Sequence, residues 1–206
     1  LGGSNAINTV QLLESATLEV SAIESVVGAN GEEDQVTLLV ASAITVVDVE
    51  SVTGSTGTDV VTLRSSSLAV TGVESVLGTT ASETVSFGSG TLAVQAVDTV
   101  LGSTGTEVLR LLAAGTVTVN AVDSVIGSTG TTDALVLAGG SSALQNVGGT
   151  GHGSRASIYS EGSTQTITMA PVGSVKPLLE ACRLVAATQG LKVSPPGESK
   201  VARTLN

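Results

Sequence analysis

Six times between Asn8 and Leu137 the chain returns to the same five-residue segment: NTVQL (Asn8–Leu12), DQVTL (Asp34–Leu38), DVVTL (Asp59–Leu63), ETVSF (Glu83–Phe87), EVLRL (Glu107–Leu111) and DALVL (Asp133–Leu137). The third and fifth residues are always apolar, which is the period of a strand with one face buried. The leading residue is acidic in five of the six. Self-similarity at a fixed period restricts a chain to stacked, repeat-built architectures.

Three further columns accompany this strand. One is a short apolar alternation: Leu18/Val20, Ile44/Val46, Leu68/Val70, Leu92/Val94, Val117/Val119 and, later, Ile167/Met169. The next is an apolar–acid–hydroxyl–valine block: IESV (Ile23–Val26), VESV (Val49–Val52), VESV (Val73–Val76), VDTV (Val97–Val100) and VDSV (Val122–Val125). The last is a glycine corner starting at Gly28, Gly54, Gly78, Gly102 and Gly127. The acids of the third column, Glu24, Glu50, Glu74, Asp98 and Asp123, are spaced by 26, 24, 24 and 25 residues.

Three apolar segments and three polar corners per repeat predict one full turn of a parallel β-solenoid. The expected fold is all-β, with 24–26 residues per coil and six to seven coils. One coil cannot bury its own core, so stacking must supply it. An antiparallel sandwich of many short strands is the alternative, but it does not require aligned columns. In register, the acids of the third column are expected to stack roughly 5 Å apart along one edge.

Composition agrees with a narrow core. Hydrophobic residues make up 41% of the 206, but aromatics only 1%, so Val, Leu, Ile and Ala must fill the interior. Residues 1–150 hold 15 acids and two bases (Arg64, Arg110), a net of −13. Residues 151–206 hold three acids and six bases, a net of +3. An acidic body argues against nucleic acid and favours cations or a basic partner. One cysteine, Cys182, leaves no intramolecular disulfide. No run of 18 apolar residues marks a membrane span.

The repeats lose regularity after Leu137, through the glycine- and serine-rich stretch Ala138–Arg155. One more coil is expected at Thr166–Val175, bringing the solenoid domain to residues 1–175. Pro177–Gln189 reads as a short amphipathic helix lying over the last coil, with Pro in its first turn and Gly190 as its stop. With the extended tail at Ser194–Asn206, it makes a C-terminal segment of residues 176–206. Leu1-Gly2-Gly3 aligns with Leu101-Gly102-Ser103, so the chain is expected to begin inside a coil, with either a preceding part missing or an edge meant to be occupied by a neighbour.

The corner Gly54-Ser55-Thr56-Gly57-Thr58-Asp59-Val60-Val61-Thr62 resembles the RTX, or haemolysin-type, nonapeptide G-G-x-G-x-D-x-U-x. It matches at Gly54, Gly57, Asp59 and Val61, with Ser55 in place of the second glycine. The other corners depart further, and RTX coils are shorter, so the likeness covers about a third of each coil. What it implies is a secreted β-solenoid with Ca²⁺ sites between corners, and Asp34, Asp59, Glu83, Glu107 and Asp133 would be the ligands. Calcium takes six to eight oxygens, and one carboxylate per corner supplies few. The competing reading has the glycines making the turn and the acids solvated.

Catalytic signals are weak. His152, in Gly151-His152-Gly153, reads as a surface residue, and Cys182 as packing on the expected helix. Two carboxylates per coil could imitate a glycosidase pair, but only Tyr159 and Phe87 offer aromatic surface for a sugar. No cofactor is required. The expectation is a non-enzymatic, extracellular or cell-surface structural protein, its partners copies of itself or neighbouring repeat modules stacked end to end. The alternatives are a calcium-binding RTX-like adhesin segment and, third, a polysaccharide-processing β-helix.

Overall fold

A computed structural model describes residues 7–79, 82–128, 133–139, 142–145, 157–160, 166–169, 185–186 and 192–194. Each sequence repeat contributes three strands. The first strand of successive repeats is β1 (Thr9–Gln11), β4 (Gln35–Leu38), β7 (Val60–Leu63), β10 (Thr84–Phe87), β13 (Glu107–Leu111) and β16 (Ala134–Gly139). The second is β2 (Thr17–Val20), β5 (Ala43–Val47), β8 (Ser67–Thr71), β11 (Gly90–Gln95), β14 (Thr116–Asn120) and β17 (Ser142–Gln145). The third is β3 (Ser25–Val27), β6 (Ser51–Thr53), β9 (Ser75–Leu77), β12 (Thr99–Leu101) and β15 (Ser124–Ile126). Four more follow: β18 (Ser157–Ser160), β19 (Thr166–Met169), β20 (Val185–Ala186) and β21 (Lys192–Ser194).

The strands form a parallel β-solenoid of two sheets. Odd-numbered strands, β1 to β21, make one sheet and even-numbered strands, β2 to β20, make the other. Every pairing is parallel and joins a strand to the next but one in the chain. A turn therefore holds two strands; up to β17 its length runs from 15 residues (Val60 beside Ser75) to 20 (Ser25 beside Thr45), and beyond it from 23 (Ala134 beside Ser157) to 26 (Tyr159 beside Val185).

This corrects the expected coil. Three strands per repeat laid on two strands per turn make each repeat of 24–26 residues span one and a half turns. The through-β17 body holds about eight turns where six to seven coils were expected. Successive repeats consequently put the same strand in opposite sheets: β1, β7 and β13 lie in one, β4, β10 and β16 in the other.

The core lies between the sheets, which pack face to face at about 10 Å. That gap accepts one aliphatic side chain from each side, which is why Val, Leu and Ile fill it. Inward ladders run straight along the axis, as in Ile44, Val61, Val76, Val94 and Leu111. All five are buried. Phe87 is the one aromatic residue in the buried cluster. Valines of the acid-bearing block (Val49, Val73, Val97, Val122) close the corners over this core.

Among the described residues no helix is long and apolar enough to cross a membrane. Of the expected helix Pro177–Gln189, the described residues are Val185 and Ala186, and they form β20. The rest of it lies outside the described residues, as do Leu1-Gly2-Gly3, His152 and Cys182. Strands β20 and β21 carry the sheet order past the expected boundary at 175.

Candidate functional site: the carboxylate corners

Because a repeat is one and a half turns, each lateral edge meets the three corner types in rotation. One edge carries Asp34, Glu50, Glu83, Asp98 and Asp133, which precede even strands; the other carries Glu24, Asp59, Glu74, Glu107 and Asp123. The expected single ladder of Glu24, Glu50, Glu74, Asp98 and Asp123 is thus divided between two edges. Its members are not neighbours of one another. Each lies beside the glycine-corner residue of the turn before it.

The two kinds of acid differ in burial. Asp34, Asp59, Glu107 and Asp133 are 0% exposed and Glu83 is 1% exposed, contrary to the solvated alternative. Glu24, Glu50, Glu74, Asp98 and Asp123 are exposed. A buried carboxylate is tolerated only when donors meet it. Both oxygens of Asp34, Asp59 and Asp133 have donors, and so does Oε1 of Glu83 and Glu107, while Glu107 Oε2 is buried with no hydrogen-bond partner among the described residues.

Asp59 shows the pattern. Its Oδ2 accepts from the Ser55 N–H at 2.6 Å and the Ser55 hydroxyl at 2.9 Å, within its own corner. Its Oδ1 accepts from the Ser42 N–H at 2.8 Å, one turn earlier. Asp34 repeats this with the N–H groups of Ala29 (2.6 Å) and Ala16 (2.9 Å). Asp133 accepts from both the N–H and the hydroxyl of Ser128. Glu83 accepts from the N–H and hydroxyl of Thr79. Glu107 takes the Ser103 hydroxyl at 2.6 Å and the Gly105 N–H at 3.1 Å. Each buried acid therefore closes its own corner, and Asp34 and Asp59 also reach the previous turn.

The exposed acids complete a clasp. The Asp34 N–H donates to Glu50 Oε2 at 2.7 Å, while the Glu50 N–H donates back to the Asp34 carbonyl at 3.1 Å. Asp59 N–H donates to Glu74, Glu83 N–H to Asp98, and Glu107 N–H to Asp123, at 2.7, 3.0 and 2.9 Å. In the first repeat Asn8 stands at the corner-acid position and donates to Glu24 through its N–H and its side-chain amide. Backbone donation from Asn8, then its side chain, holds the Glu24 carboxyl below its ordinary range. The Glu107 backbone N–H does the same for Asp123.

Two supporting features were not read from the sequence. One is the hydroxyl after the corner glycine, whose signal is the pair Gly-Ser or Gly-Thr in four of five corners. The other is a left-handed residue two positions before each exposed acid. Ala22, Asp48, Ala96 and Ala121 have φ of 56, 49, 54 and 55°, and Gly72 has 64°. Four corner glycines, Gly28, Gly54, Gly78 and Gly102, pack against the left-handed residue one turn on. A Cβ at Gly28, Gly54, Gly78 or Gly102 would lie 1.7, 1.9, 2.0 or 2.0 Å from the carbonyl oxygen of Asp48, Gly72, Ala96 or Ala121. The corner glycine is therefore required by close approach of two turns, not by its own φ.

The donor set bears on calcium. Asp34, Asp59, Glu83, Glu107 and Asp133 face N–H and O–H donors, whose positive ends point at the carboxylate. That arrangement fits an anion, and a cation set among those donors would be opposed by them. Among the described residues no three His, Cys, Asp or Glu side chains converge as metal ligands. A surface groove of about 410 Å³ runs beside Thr79, Glu83, Gln95, Asp98 and Ala114, and its lining includes no aromatic or basic side chain.

The fold and these corners define a two-sheet parallel β-solenoid with a repeat of one and a half turns. No family model, curated protein or solved structure matches the chain.

Proposed function

We propose that this chain is a structural repeat protein, an extracellular or cell-surface rod that self-associates by stacking solenoid turns end to end. One observation carries the reading: the polar chemistry of each repeat is spent on joining one turn to the next. The exposed carboxylates accept main-chain donors from the previous turn, as in Glu50 with Asp34, and the buried Asp34 and Asp59 do so as well, with Ala16 and Ser42. A turn of a second copy offers the same N–H, carbonyl and carboxylate groups to an open strand edge. Contacts between unlike ends propagate unless a rotation closes them. The reading is non-enzymatic: the buried carboxylates of Asp34, Asp59 and Asp133 are engaged through both oxygens by donors of the fold, and the groove beside Glu83 and Asp98 has nothing to stack on a sugar or hold an anion. The outside location is supported by the resemblance of Gly54–Thr62 to the RTX corner.

Negative-stain imaging and light scattering of the purified chain over a concentration series test it. Filaments that lengthen with concentration are expected; monomers at every concentration would contradict it. In the same samples, adding Ca²⁺ is expected to leave the melting temperature unchanged. A large calcium-dependent rise would favour the calcium-binding adhesin instead.

A further inference from the structure

Charge is distributed unevenly round the solenoid. Ten of the acids sit in the corner columns of the two edges. From β3 to β17 the strands contain two charged residues, Glu107, which is buried, and Arg110. The outward positions are otherwise Ser, Thr, Ala, Val, Leu, Ile, Gln and Asn. They align into ladders: Ser25, Thr45 and Thr62 on the odd sheet, and Ser67, Thr84, Thr99 and Thr118 on the even sheet. Many of these residues are half-buried by their ladder neighbours, so each face is low in relief.

The half-turn in the repeat gives both faces the same chemistry. Moving from one repeat to the next exchanges the sheets, so β4 presents on one side what β7 presents on the other. The operation is a half-rotation combined with an advance of one and a half turns. A contact that suits one face therefore suits the opposite face.

We infer that the two flat sheet faces are lateral interfaces, and that their occupant is a second copy of this chain lying face to face, its solenoid axis along that of the first. Three observations select a copy. The spacing of outward ladders, about 4.8 Å, is reproduced along the whole length of a second solenoid of the same repeat, so side chains can interdigitate row by row. The faces are almost free of charge while the chain carries −10, so facing sheets avoid burying charge and leave the acidic edges in water. The extent also suffices. The eight odd strands from β3 to β17 span about 38 Å at that spacing, and with strands about 13 Å long they offer roughly 500 Å² per partner. The total of about 1,000 Å² reaches the lower bound of specific interfaces. Because both faces are competent, the association does not close on itself and builds layers. Repulsion between acidic edges confines growth to the face direction.

This inference rests on the proposed self-association only in taking the partner as a copy; it concerns thickness, whereas end-to-end stacking concerns length. The test uses the full chain and outward substitutions three strands apart. Thr45→Lys with Ala93→Lys charges the odd face, and Thr53→Lys with Thr99→Lys charges the even face. All variants are first matched to the parent by circular dichroism and melting temperature. Images of the parent are expected to show stacks several molecules thick. Either single-face variant should stop at a thickness of two, and the four-fold variant at one. A parent of single thickness, single-face variants as thick as the parent, or stacks that survive in the four-fold variant would each overturn the inference. Loss of length with thickness retained would contradict only the end-to-end reading.

Discussion

At the scale of single residues, positions that look alike in the sequence differ in the structure. Asp59 is buried and accepts three hydrogen bonds from Ser42 and Ser55. Asp59→Ala removes the acceptor and strands those donors, so it should cost about 3–5 kcal/mol, measured by chemical denaturation. Two glycines make a sharper contrast. A Cβ at Gly54 would meet the Gly72 carbonyl oxygen at 1.9 Å, whereas nothing lies within 4 Å of one at Gly115. Gly54→Ala should cost about 3 kcal/mol or more, and Gly115→Ala should stay within about 0.5 kcal/mol of the parent. Asp123 links a residue to pH. Its folded carboxyl is held below the ordinary range by the Glu107 backbone N–H, so the stability it contributes is present above its unfolded pKa. That contribution is lost as pH falls through the lower folded value, below about pH 4. Asp123→Asn should therefore lower the melting temperature at pH 6 and converge with the parent in strong acid.

At the scale of elements, strands and corners were legible and their arrangement was not. The alternation in DVVTL and its relatives marked each inward residue, and Val61 and Leu63 are both fully buried. The glycine corners were visible as columns. Their partner was not, because the residue that approaches Gly54 is Gly72, 18 positions on, and at the other corners it is Ala or Asp. Nothing in an alanine announces a left-handed φ. The acids are visible too, but a column in an alignment of repeats is not a column in space. Whether equivalent strands stack depends on how many strands complete a turn, and that is set by core width rather than by any residue pattern. A deletion tests this level. Removing Gly54–Leu77, one whole repeat, joins equivalent points and keeps the rotation of corners along both edges. It should unfold cooperatively in a thermal melt within a few degrees of the parent. Removing the 16 residues from Thr62 to Leu77, close to one turn, sets corner glycines against the wrong neighbours and should lower the midpoint far more.

At the scale of the whole molecule, the half-turn is what converts a monotonous sequence into a rod with two like faces and two like edges. The solenoid class was readable from the repeat because no single coil can bury its own apolar residues. The equivalence of its sides was not, since it arises only when three strands are wound on two sheets. Paired cysteines in a Cys182→Ala background measure this most directly. Thr45 and Thr62 face each other on adjacent strands β5 and β7 of one sheet. Thr37 and Thr62 occupy the same place in successive repeats but lie in opposite sheets. Spin labels at Thr45→Cys and Thr62→Cys should show the strong coupling of neighbouring strands, and labels at Thr37→Cys and Thr62→Cys should be separated by the full thickness of the solenoid. Strong coupling in the second pair and none in the first would mean one repeat per turn and would contradict the account.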